Sequence, residues 1–149
     1  MKKFQFSLEN VLNYKNQVLE EIQNEYASAV QQVRQQERRL VELEERHRAL
    51  NREFRQAEAE GITVAEAMGY ESGLRVLERT IRQAEERLQQ LRDEAEQVRQ
   101  RLVAARQDSM SLEKLRERKL EDYRKEAQKQ EERLIDELVS NARTAAGMS

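Results

Sequence analysis

Cysteine, proline and tryptophan are absent from this 149-residue chain, and glycine occurs only four times. Without cysteine there is no thiol nucleophile, and the redox compartment is left undetermined. Aromatics make up 5% of the residues and mean hydropathy is −1.00, too little for a thick globular core. Two packed helices need only a seam, and that much apolar surface is present. No run approaches the ~18 apolar residues of a membrane helix. "MKK" starts in the manner of a signal peptide, but Gln5, Ser7, Glu9 and Asn10 interrupt any apolar stretch after it. Charge of one sign is missing too: charged residues reach 38%, yet the net is −2. The balance holds along the chain, which argues against a nucleic-acid-binding arm or a polybasic membrane anchor. These absences together predict a soluble cytoplasmic protein.

What is abundant is Ala, Leu, Glu, Gln and Arg, with Glu and Arg interleaved. That mixture marks long helices or a coiled coil. Apolar residues three and four apart trace a seam through Leu8, Val11, Lys15, Val18, Ile22, Tyr26, Ala29, Val33, Gln36, Leu40, Leu43, His47, Leu50, Phe54 and Ala57. Val18, Ile22 and Tyr26 are four apart each time, a stutter that locally unwinds a supercoil. Lys15, Gln36 and His47 are polar intrusions of the kind that specify register. The second half is more regular, from Tyr70, Leu74, Leu77, Ile81, Ala84, Leu88, Leu91, Ala95, Val98, Leu102 and Ala105 to Ser109 and Leu112. Beyond Leu115 the phase slips.

Between the halves, "AEAEGITVAEAMGYESG" holds Gly61, Gly69 and Gly73. Thr63 to Glu66 has the form of a capping box, and Gly61 suits the position after a helix C-terminus. The prediction is an all-α fold: one antiparallel coiled-coil hairpin over residues 1–149 with a short loop. Helix one spans about 7–60, the connection 61–72 and helix two 73–145. The rival is one continuous helix about 200 Å long, dimerising in parallel. A turn near residue 64 sets Leu8 opposite roughly residue 120. Residues after about 126 then overhang, carrying Leu134, Ile135, Leu138 and Val139 on one face. Exposed contiguous apolar surface of this kind marks an interaction site.

Catalytic constellations are missing, so no enzyme and no cofactor is expected. His47, the single histidine, sits on the seam between Leu43 and Leu50, a packing position. The glycines fit no phosphate-binding loop. Adjacent glutamates such as Glu44–Glu45 and Glu85–Glu86 have basic partners at helical spacing and read as solvated support. The densest basic stretch carries Lys114, Arg116, Arg118, Lys119, Arg124 and Lys125. It is either a charged solvated face or a stripe that steers docking. At the start, Ser7 is an N-cap candidate, with Phe6 and Val11 the pair of a hydrophobic staple. Phe4 has no local role: it folds over the second helix near Tyr123 or it anchors in a partner.

The opening "FQFSLENVLNYK" and the closing "LEKLRERKLEDYRKEAQKQEERLIDELVSNAR" resemble the flagellar FliJ proteins, and the resemblance extends over essentially the whole chain. It implies an antiparallel coiled-coil hairpin of the flagellar type III export apparatus, similar to the central stalk of rotary ATP synthases. Such a protein works with the hexameric export ATPase and the cytoplasmic domain of the transmembrane export gate, and serves as a general export chaperone or chaperone escort. The resemblance thus implies a cytoplasmic protein at the inner face of the cell membrane, held there through its partners. By this likeness the ATPase-binding tip would comprise Phe4, Phe6, Leu8, Val11 and Leu12 with Leu134, Ile135, Leu138 and Val139. The gate-binding region would fall on Leu43, Leu50, Leu74, Leu77 and Ile81. The readings from other classes are an unrelated coiled-coil spacer that self-associates, and a holdase chaperone.

Overall fold

The computed structural model describes residues 2–148, with side chains to residue 147. Two α-helices account for nearly all of them: α1 (Glu9–Glu60) and α2 (Val64–Met148). They pack against one another as a hairpin, and no strand occurs among the described residues. The chain divides into two compact units, Glu21–Val103 and Met1–Glu20 with Ala104–Ser149.

The unit Glu21–Val103 contains the turn. Helix α1 ends at Glu60, and Gly61 adopts φ +95°, a left-handed conformation that glycine enters without steric penalty. Its N–H donates to the carbonyls of Ala57 at 3.0 Å and Glu58 at 3.2 Å, closing the helix end. Thr63 then caps α2. Its Oγ1 accepts the Glu66 N–H at 3.1 Å, and its carbonyl accepts the Ala67 N–H at 3.0 Å. The connection is therefore residues 61–63 alone, shorter than the expected 61–72, and α2 starts at Val64 instead of 73. Gly69 and Gly73 lie inside the helix. A Cβ at Gly73 would sit 3.2 Å from Leu50 Cδ2, so the missing side chain there allows a close approach of α1. Thr63→Ala is expected to lower stability by about 1 kcal/mol, read as a reduced urea midpoint with unchanged slope.

Pairing in this unit is antiparallel, since Glu25 meets Arg101, Glu37 meets Arg92 and His47 meets Glu78. Its core is the expected seam: Ile22, Leu43, Phe54, Ala84, Leu88, Leu91, Ala95, Val98 and Leu102 are buried. Phe54 stacks on Tyr70 with centroids 5.2 Å apart. The polar intrusions are satisfied across the seam. Gln36 Nε2 donates to the Ala84 carbonyl at 3.0 Å, and His47 Nε2 lies 3.2 Å from Glu78 Oε1. Both bonds hold only in one alignment of the helices, so they fix register.

In the unit that carries the termini, α1 again runs antiparallel to α2. Ser109 Oγ, buried, donates to Asn16 Oδ1. Lys15 pairs with Asp108 at 3.6 Å, and Glu9 with Arg116 at 3.0 Å. The start of α1 departs from expectation. Its first helical bond runs from the Leu12 N–H to the Leu8 carbonyl at 2.9 Å, which makes Leu8 the cap position and leaves Ser7 in the preceding turn. The proposed Phe6–Val11 staple fails with it. Phe6 and Leu12 are buried, whereas Leu8 (36%) and Val11 (42%) face solvent rather than the seam.

Candidate functional site: the end that carries the termini

Residues 2–6 are not helical, and they cross from α1 to α2 as a strap. The Phe4 ring meets Tyr123 at 5.6 Å with a 56° tilt, and the Arg116 guanidinium lies 5.8 Å from its centroid. Tyr123 in turn donates its hydroxyl to the Lys2 carbonyl at 2.6 Å. Of the two roles open to Phe4, packing on its own chain is the one observed. Arg116 is thereby drawn out of the basic stretch, held by Glu9 and by the ring. Lys114, Arg118, Lys119, Arg124 and Lys125 remain exposed, the last paired with Glu121 at 3.5 Å one turn away.

Past the strap, no described segment covers the apolar face of α2 at residues 134–139. Every residue from 128 to 147 is exposed, and the apolar face follows suit: Leu134 57%, Ile135 52%, Leu138 61% and Val139 44%. Four large aliphatics at i, i+1, i+4 and i+5 form one contiguous strip. Leu134 lies two heptads beyond Leu120, so the strip continues the face that α2 turns toward α1. Of the tip residues expected from the sequence, the structure leaves these four, Leu8 and Val11 available. It commits Phe4, Phe6 and Leu12 to intrachain packing.

The residues expected to face a gate partner are seam residues of the other unit. Leu43 is the most buried side chain among the described residues, and Leu50, Leu74, Leu77 and Ile81 are half-buried. The large apolar side chains exposed near the turn are instead Val64, Met68 and Val76. Sequence reasoning passed over them, although Val64 and Met68 sit one turn apart and out of phase with Tyr70, Leu74 and Leu77. Electrostatics at the surface are local. Burial, and then the Glu53 carboxylate, raise the Tyr70 hydroxyl above its ordinary value. The Glu96–Arg99 hydrogen bond holds Glu96 below the usual carboxylate range and raises Arg99.

The chain matches the model of the flagellar FliJ protein family over residues 4–146. It belongs to that family. Matched residues begin at Phe4 and include the whole overhanging strip, so the membership covers both parts of this end. A FliJ-family chain is an export-associated coiled-coil component of the flagellum, which agrees with the observed hairpin. No curated protein and no solved structure gives a match. Among the described residues, no helix is long and apolar enough to cross a membrane.

Proposed function

We propose that this chain is the coiled-coil stalk of the flagellar export apparatus. Its terminal end binds the hexameric export ATPase, and the surface near its turn meets the cytoplasmic part of the export gate. One observation carries the reading: a strip of Leu134, Ile135, Leu138 and Val139 that no other described part of the chain covers. Removing such a strip from water provides a favourable driving force for docking. A single hairpin seated in a ring of like subunits makes different contacts with each of them. It thereby couples nucleotide state to the hairpin's orientation, and the ATP chemistry belongs to the ring. Near the turn, the gate-facing role falls on exposed Val64, Met68 and Val76 rather than on the seam leucines. Membership of an export-associated family supports two further parts of this reading, an escort role for export chaperones and a peripheral position at the inner membrane face.

The test is to change Leu134, Ile135, Leu138 and Val139 together to Gln. Circular dichroism should show helicity close to that of the parent, since all four side chains are exposed. Stimulation of the export ATPase of the same organism should be lost. A large fall in helicity would show that these residues form a core. A tight dimer indifferent to the ATPase would favour the self-associating spacer instead.

A further inference from the structure

The strap and the bare strip lie on one continuous stretch of α2. Helix α1 begins at Glu9, against Arg116, and is too short to cover the later turns of α2. Half-buried Tyr123 lies beyond that point, and its packing partner is Phe4 of the strap. For about two more turns, then, a non-helical segment stands where α1 would stand if it were longer. Leu120, Ala127 and Leu134 recur seven residues apart along this stretch, the spacing of one coiled-coil face.

The strap's attachment is light beyond Phe6. Among the described residues it comprises a tilted aromatic pair, a cation over a ring and a hydrogen bond to a backbone carbonyl. The hollows beside it are wide. One of about 680 Å³ is lined by Phe4, Phe6, Lys119, Asp122 and Tyr123, and one of about 520 Å³ by Phe4, Glu9, Asn10 and Arg116. These are open surface grooves, and Lys2, Lys3 and Gln5 are themselves exposed. Residues 2–5 are thus held at a few points rather than embedded.

We propose that the strap is a displaceable cover: residues 2–5 occupy the face around Tyr123 until the ATPase takes it. Displacement lengthens the docking face from the strip at Leu134–Val139 back toward Tyr123. The strap therefore competes with the partner, and Phe4 restrains binding instead of contributing to it. This rests on the reading of the overhang as the ATPase contact, and it adds regulation to that site. When the binding-competent form is a minor one, apparent affinity falls in proportion to its population. Loosening the clasp should raise affinity by the same factor.

The chain has no tryptophan, so Phe4→Trp places a single fluorescent reporter in the strap, with the flanking hollows giving space for the indole. Its emission should shift to the red when Tyr123→Ala is added, and also when the protein binds the ATPase. The latter is read as a difference spectrum against the complex of the Phe4 parent. In parallel, Phe4→Ala should tighten ATPase binding roughly tenfold, the scale of the aromatic and cation–π contacts removed. A complex in which the reporter keeps its emission or shifts to the blue would overturn the proposal, as would weaker binding by Phe4→Ala. Sedimentation separates this from failure of the stalk reading. If no complex forms at all, both fall; if a complex forms with the strap still docked, only the competition falls.

Discussion

Leu43→Ala should lower the stability of the protein by about 3 kcal/mol, within the range measured for leucine truncation in packed cores. Leu43 is 2% exposed, the most enclosed side chain among the described residues. Removing its three distal carbons loses transfer free energy and leaves a cavity that two long helices close only in part. In a seam one side chain thick, no second layer shares the loss. Urea unfolding followed by helicity should show a lower midpoint with unchanged slope. Leu138→Ala is the control. At 61% exposure it should change stability by less than about 0.5 kcal/mol, the usual range for surface positions. The pair separates two kinds of leucine that look alike in the sequence. It also bears on the proposed gate contact: weaker gate binding by Leu43→Ala would report a loosened seam rather than a missing surface.

The seam was legible because coiled-coil packing imposes a 3–4 period that survives polar interruptions. Ala84, Leu88, Leu91, Ala95, Val98, Leu102 and Ser109 are all buried, as that spacing requires. Gln36 and His47 were legible as register residues, and each finds a partner on α2. The overhang followed from arithmetic, since a turn in the low sixties leaves the end of a longer second helix without a companion. Two features were not legible. Periodicity assumes a helix, so it carried the seam down to Leu8 and Val11. The helix starts only at Glu9, and around its start the buried positions are Phe6 and Leu12 instead. The glycines at 69 and 73 suggested a long connection because each weakens a helix by about 1 kcal/mol relative to alanine. Capping by Thr63 and packing of the following turns outweigh that, and at Gly73 the missing side chain admits Leu50. Whether an apolar residue serves a seam or a surface depends on the partner helix, which spacing along one helix does not reveal.

A chain ending at Ala127 should lose stimulation of the export ATPase entirely while keeping its urea midpoint. Residues 128 to 147 are exposed throughout, so their removal deletes no core packing. The strap stays, as do its attachments at Arg116 and Tyr123 and the Asn16–Ser109 bond. Stability should therefore change by less than about 0.5 kcal/mol, as for surface changes generally. Helical signal should fall by no more than the deleted turns contribute. That fall should be partial, because a helix extended without tertiary packing is marginal in water even when its start is already formed. The functional loss should exceed that of any single substitution in Leu134–Val139, since hot-spot residues act together and one truncated leucine leaves its neighbours in place. Comparison with the four-glutamine variant sorts the contributions. Equal loss in both would mean that the apolar strip carries the docking. A larger loss on truncation would assign the difference to the polar residues of the overhang, among them Arg133, Asp136 and Glu137. Full stimulation by the shortened chain would move the contact to the exposed Leu8 and Val11 or to the basic stretch around Lys119, and the overhang would then need another partner.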